Sequence, residues 1–331
     1  MAGAEHAKWV PPGVDMSRPN AARMYDFFLG GAHNFDADRR AALAVLAVAP
    51  QVRDAAWANR QFLRRAVRYA LDQGIRQFLD LGSGIPTVGN VHDIVQAAHP
   101  DGRVLYVDAD PVVVKHAQAL LDDVHDARAI KADLRNPAGI LGHDQTRRLI
   151  DFREPVAVLL VSVLHFVPGT ADELAAVVDE LVRPAAPGSL LVISHASQTN
   201  TTGATETVTQ LYADTPTPLH LRSAQEIRAM FGRLDLVNPD PRMAEPAGLV
   251  PVAAWRPDPT GNERPSERTE SPFLTGFLAG VGRNSRPAAA EAASTAGSAA
   301  GTPGTPLRRR NDARFSDRPS AHRGVPVAAR R

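Results

Sequence analysis

Residues 77–90 read QFLDLGSGIPTVGN, an apolar run that ends in an aspartate and breaks into two closely spaced glycines. An uninterrupted apolar run of this length suits a strand covered on both faces, as in a parallel sheet. Glycines immediately after such a strand allow backbone to press against a ligand at the strand's carboxyl end. Taken alone, the pattern is equally that of a tight strand-to-helix turn, so the rest of the chain decides.

Working outward, further short apolar runs fall at 103–107, 127–131, 155–162 and 188–194, bounded by Asp, Gly, Pro or Ser. Amphipathic stretches separate them. Val91, Ile94, Val95 and Ala98 share one helical face behind Asn90, a candidate N-cap, and Val113, Ala117 and Leu120 or Leu121 share another. Asn136-Pro137 reads as an N-cap followed by proline at the first helical position. This alternation predicts a doubly wound α/β sheet that binds its ligand at the strands' carboxyl ends.

Before it, 17–73 reads as helical. Ser17 and Pro19 can open one helix, Asp36 can cap a second running through Ala47, and Pro50 begins a third. Asn59 falls on the apolar stripe of that third helix and must find a hydrogen-bond partner if buried. After 195 the pattern predicts helices at 204–213 and 223–231. Strand-like segments at 234–238, 248–254 and 277–283 predict an antiparallel addition to the sheet.

Composition bounds the chemistry. The 331 residues contain no cysteine, which removes disulfides, thiolate nucleophiles and zinc–thiolate sites. No H-E-x-x-H, G-x-S-x-G or phosphate-binding loop is present, so metalloprotease, hydrolase and nucleotide-triphosphatase chemistry has no support, and no metal is expected. The N-terminal residues lack an apolar signal core, and the run Val156–Val167 is too short to span a bilayer. A soluble, cytoplasmic protein is expected, with no membrane partner. The net charge of +1 hides an asymmetry: 285–331 carry nine arginines and three acidic residues, leaving 28 basic and 33 acidic residues before them. This Ala-, Gly-, Pro- and Arg-rich tail has almost no large apolar residues and is expected to be disordered.

The loop departs from the dinucleotide fingerprint. Gly82 and Gly84 are present, but Thr87 stands where the third glycine belongs and Gly89 comes two residues late. Asp80 sits two residues before the first glycine, and the resulting D-x-G-x-G resembles the first motif of class I methyltransferases, which use S-adenosylmethionine. Asp108 ends the second strand, 24 residues beyond Gly84, where a carboxylate can accept both ribose hydroxyls. Asp110, before Pro111, competes for that role but fits better as a helix cap. Asp133 follows the third strand and is left free if Asn136 caps the next helix. In the methyltransferase pattern this carboxylate accepts from the adenine amino group, and Leu134 offers its backbone N–H.

The segments PNAARMYDFFLGGAHNFDADRRAA (19–42), QFLDLGSGIPTVGNVHD (77–93), YVDADPVV (106–113), LLVSVLHFVP (159–168), PGSLLVISHAS (187–197) and FLAGVGRN (277–284) resemble a more specific family. This is the S-adenosylmethionine-dependent methyltransferase family first catalogued as a domain of unknown function (DUF574, Methyltransf_19). The resemblance spans roughly 15–284. It implies a Rossmann-like seven-stranded class I methyltransferase sheet, with a helical cap over 1–73, a cofactor-binding core over 74–284 and the tail at 285–331. It supplies no acceptor, and an extra stretch around DPRMAEPAG (240–248) and the tail depart from it.

The cofactor-binding set expected on this reading is Tyr25, Gly31, His33, Asn34, Asp80, Gly82, Ser83, Gly84, Asp108, Ala109, Asp133, Leu134 and Ser162. The loop Gly30–Phe35, with Tyr25, is expected to close over the cofactor as a lid; the alternative is a plain helix–helix connection. His165, after the fourth strand, is the candidate base, and His195 follows the fifth. Either is equally a hydrogen-bonded structural histidine, and methyl transfer needs a base only where the acceptor must lose a proton. The expected reaction is methylation of a small molecule. The alternative is a non-catalytic S-adenosylmethionine-binding regulator whose basic tail touches nucleic acid. Oligomeric state is not encoded in these features.

Overall fold

The computed structural model describes residues 14–86, 89–241, 248–257 and 271–285. The basic tail and most of the extra stretch after 240 lie outside the described residues. Three helices come first, α1 (Ala21–Phe28), α2 (Asp36–Val48) and α3 (Val52–Asp72). The sheet region alternates β1 (Gln77–Leu81), α4 (Val91–Ala98), β2 (Arg103–Asp108), α5 (Pro111–Leu120) and β3 (Ala127–Lys131). It continues with α6 (Pro137–Gly142), α7 (Asp144–Leu149), β4 (Ala157–Val161), α8 (Ala171–Val182) and β5 (Leu190–Ala196). The last elements are α9 (Gly203–Ala213), α10 (Ala224–Ala229), β6 (Asp235–Leu236), β7 (Val250–Pro251), α11 (Pro272–Thr275) and β8 (Phe277–Arg283).

Among the described residues the strands form one sheet in the order β3-β2-β1-β4-β5-β8-β6, with β7 also on β8. β1 to β5 pair in parallel, whereas β8 runs antiparallel to β5 from Leu190↔Arg283 to Ala196↔Phe277. β6 and β7 meet opposite ends of β8, so two short pieces share the seventh position instead of one strand over 234–238. The segment predicted as a strand over 248–254 turns into a 3-10 helix at Val252–Ala254.

The strands are apolar throughout because both faces are covered. Phe78, Val104, Tyr106, Ala157, Leu159, Leu190 and Val192 enter one core cluster with Phe62, Ala66 and Val67 of α3. Their alternating neighbours Leu79, Leu105, Val107, Val158, Leu160, Leu191 and Ile193 enter the opposite cluster with α8 and α10. Complete burial of one such side chain contributes about 2–3 kcal/mol.

The N-terminal helices make a third cluster, in which Met24, Phe28, Ala42 and Val45 pack with Val208 and Tyr212 of α9. Polar contacts pin this cap to the sheet. Arg23, buried on α1, donates to Asp38 at 2.9 Å and to Asp110 at 3.2 Å, tying α1 to the starts of α2 and α5. Asn59, buried on α3, finds two partners. Its amide donates to the Tyr25 hydroxyl at 3.0 Å, and its carbonyl accepts from the Ser194 hydroxyl at 2.6 Å. Asn20, not Ser17, caps α1, accepting from the Ala22 N–H at 2.8 Å. At α4, Asn90 holds the cap position, yet its side chain makes no cap bond and donates instead to Asp93 at 2.9 Å. Among the described residues no helix is long and apolar enough to cross a membrane.

Candidate functional site

The sheet order reverses between β1 and β4, and ligands of doubly wound sheets bind at such a switch point. A cavity of about 770 Å³ lies there, at the carboxyl ends of β1, β2, β3 and β4. Its floor is the loop after β1. Gly82 and Gly84 both hold left-handed conformations, at φ of 67° and 63°. A Cβ at Gly82 would stand 2.1 Å from Val163 Cγ2, whereas one at Gly84 would meet nothing within 4 Å. Gly82 is therefore required by conformation and by space, Gly84 by conformation alone.

Asp108 organises this loop. One carboxylate oxygen accepts from Gly84 N–H at 3.0 Å and the other from Asp110 N–H at 2.9 Å. Burial raises its pKa to about 6, partly offset by these backbone donors. Asp110 caps α5, accepting from Val112 N–H at 2.8 Å, while its other oxygen holds Arg23. Asp80 is deeper still. Burial raises its pKa to about 7, with the Arg60 guanidinium opposing the rise and Asp108 adding to it.

Tyr25, Asp80, Gly82, Ser83, Gly84, Asp108, Ala109, Asp133, Leu134 and Ser162 all line this cavity. Asp133 is not left free, because Arg135 grips both its oxygens at 2.6–3.0 Å and holds its carboxyl below the usual carboxylate range. Ser162 stands at the end of β4 with φ of 60°, a strained position for a residue with a side chain. Its N–H donates to the Ser194 hydroxyl at 3.0 Å, which donates in turn to Asn59. Asn59 then donates to Tyr25, whose hydroxyl donates to Ala56 carbonyl at 2.9 Å. This relay locks the β4 exit to α1.

Four expected residues are placed elsewhere. Gly31, His33 and Asn34 do not line the cavity, because the loop folds back on Asp26. The Asp26 carboxylate accepts from His33 N–H and from the Asn34 amide, each at 2.8 Å, while Gly31 N–H reaches Asp26 carbonyl at 2.8 Å. Val14 to Tyr25 contribute the cavity's N-terminal wall instead.

His165 is the fourth. It lines a smaller adjoining chamber, and burial holds its pKa well below the ordinary histidine value. Its Nδ1 accepts the Ala196 N–H at 3.2 Å, so the neutral ring carries its proton on Nε2. The ring's other nitrogen thus cannot take up a proton as a base would. His195 is fully engaged, with Nδ1 donating to Ala196 carbonyl at 2.7 Å and Nε2 accepting from Arg222 at 3.2 Å.

Sequence reasoning missed Arg60. It lines the cavity, is only 8% exposed, and its Nε is buried without a hydrogen-bond partner. On the helical pattern it is one more arginine of an arginine-rich helix; only the fold brings it to the cavity wall. His220 was also missed and is another wall residue, with burial, then Arg222, lowering its pKa.

The sequence matches the S-adenosyl methyltransferase family over residues 7–285. A crystal structure of a candidate methyltransferase from Thermobifida fusca YX is 39% identical, covers 84% of this chain and 100% of that one, and superposes with a TM-score of 0.75. A DUF574 family protein from Streptomyces avermitilis MA-4680 is 33% identical over 82% of this chain and 99% of that one, with a TM-score of 0.72. No curated protein matches the sequence.

Proposed function

The chain belongs to the S-adenosyl methyltransferase family and uses S-adenosylmethionine, and on that premise we propose how its residues hold the cofactor and what they methylate. The observation that carries the proposal is Arg60, whose Nε has no hydrogen-bond partner, lining the switch-point cavity together with Asp80 and the glycine loop. A buried guanidinium lacking an acceptor fits a carboxylate, and a buried carboxylate with a raised pKa fits a cation. Together they suit the carboxylate and ammonium of an amino-acid moiety, which a dinucleotide lacks.

Arg60 and Asp80 hold the amino-acid end over Gly82, Ser83 and Gly84. Asp108, already aimed by Gly84 and Asp110, accepts from the ribose hydroxyls. Asp133 and the Leu134 N–H meet the adenine edge, with Ala109 beside it. The segment Val14–Tyr25 covers the site and excludes water. Bound there, S-adenosylmethionine supplies a methyl group on a positively charged sulfur, which keeps the bonding pair when an acceptor lone pair takes the carbon. Ser162 and Tyr25 fix the wall towards the smaller chamber, so the acceptor is positioned by packing. Where that acceptor carries a proton, His220 on the cavity wall receives it, since His165 has no free nitrogen lone pair.

The acceptor is a small molecule on this reading, and the cytoplasm is the compartment. Calorimetry with S-adenosylmethionine, S-adenosylhomocysteine and NAD tests the cofactor assignments, followed by transfer of labelled methyl to a metabolite pool. Micromolar binding of the adenosyl compounds without NAD is expected. Equal binding of NAD would overturn the assignment of Arg60 and Asp80 to an amino-acid end.

A further inference from the structure

The smaller chamber has a volume of about 110 Å³ and shares Tyr25, Ser162 and Phe166 with the large cavity. Its walls are apolar and strongly aromatic, with Phe28, Phe166, Tyr212, Phe273 and Phe277 around it. Two polar groups at its edge are already satisfied. The Tyr25 hydroxyl donates to Ala56, and the Ser197 hydroxyl donates to Gly276 carbonyl at 2.8 Å. His165 differs. Its Nδ1 is occupied by the Ala196 N–H, so Nε2 carries a hydrogen for which no described residue supplies an acceptor.

We propose that this chamber is the acceptor subsite, taking a single aromatic ring that bears an oxygen, with the His165 Nε2–H donating to that oxygen. The inference rests on the reading of the large cavity as the cofactor site. Size limits the occupant to one ring: a dry apolar cavity of about 150 Å³ accommodates benzene, and this chamber is smaller but shares Tyr25, Ser162 and Phe166 with the large cavity. The rings of Phe166 and Phe277 in its wall offer ring-to-ring packing. The His165 N–H, set in a largely apolar wall, rewards an oxygen placed against it, whereas a wholly apolar ring would leave it buried without a partner. The shared wall of Tyr25, Ser162 and Phe166 places such a ring beside the cofactor site without overlapping it.

The experiment uses the full chain and two probes, phenol and toluene, titrated by calorimetry with and without saturating S-adenosylhomocysteine. Phenol is expected to bind more tightly than toluene, and S-adenosylhomocysteine should not displace it. Leu219→Trp, which adds bulk at the chamber wall, is expected to weaken phenol by at least about tenfold, the affinity equivalent of blocking one ring's burial. S-adenosylhomocysteine affinity should be unchanged in that variant, which also reports that it is folded. His165→Phe should erase the preference for phenol over toluene, a readout that loss of fold would not mimic while S-adenosylhomocysteine still binds. Displacement of phenol by S-adenosylhomocysteine, unaltered phenol affinity in Leu219→Trp, or no phenol binding by protein that binds S-adenosylhomocysteine would each overturn the proposal. Failure of S-adenosylhomocysteine itself to bind would instead overturn the cofactor reading, and phenol binding would still report on the chamber.

Discussion

Replacing Arg60 by Met removes a buried charge of known surroundings, and its consequences can be worked through. The side chain is 8% exposed, its Nε has no partner, and its field lowers the pKa of Asp80. A hydrogen bond to a charged group is worth about 1.5–3 kcal/mol, so loss of the carboxylate contact should weaken S-adenosylhomocysteine by about 10- to 150-fold. Adenosine, which has no amino-acid end, should bind the variant as it binds the parent. Arg60→Lys keeps the charge but loses the planar fork, so an intermediate loss is expected. Stability should move the other way: replacing an unpaired buried cation by a similar-sized apolar side chain is neutral or favourable. Part of the loss passes through Asp80, whose pKa rises further without Arg60, so Arg60→Met and Asp80→Asn should be less than additive. Calorimetry with both ligands and urea unfolding of the free protein supply the numbers. Equal losses for adenosine and S-adenosylhomocysteine, or none for either, would refute the assignment.

The other predictions concern the same loop. Asp80 must be ionised to hold an ammonium, so with its pKa at about 7 ligand affinity should rise about 15-fold between about pH 5.5 and 7. Titration of Asp80→Asn should show a flatter profile. In the ligand-free protein, Asp80 retains a proton that the unfolded chain releases, so stability should fall as pH rises from about 4 to 7; urea midpoints should show a smaller slope in Asp80→Asn. Asp108→Asn replaces an acceptor of the Gly84 and Asp110 N–H groups, and should cost about 1–3 kcal/mol in stability and weaken adenosine as well as S-adenosylhomocysteine. Gly84→Ala should cost only the left-handed backbone penalty of about 1–2 kcal/mol. Gly82→Ala should cost more because its Cβ meets Val163 at 2.1 Å, and Val163→Ala should recover the steric part in a double-mutant cycle of urea midpoints.

Local features of the sequence determined much of this protein. The apolar runs, the D-x-G-x-G turn, Asp108 at a strand end and Asn136-Pro137 at a helix start each depend on residues a few positions apart. Asn59 shows the same logic: an amide on a buried stripe demands a partner, though not which one. What needed the tertiary structure is everything set by elements meeting across the chain. Tyr25 and Ser194 answer Asn59 from 34 residues before it and 135 after it. The loop after α1 turned inwards because Asp26 captured its amides, giving the cavity wall to residues 14–25, a choice no periodicity encodes. The tautomer of His165 is decided by a backbone N–H at the end of the neighbouring strand β5, Ala196, 31 residues further along the chain. Arg60 acquired its role because α3 packs against β4 and β5, which brings the guanidinium to the cavity wall within electrostatic reach of Asp80 and leaves its Nε without an acceptor. Strand and turn propensities are written in neighbouring residues, whereas a buried group's charge and partners depend on what long-range packing leaves around it.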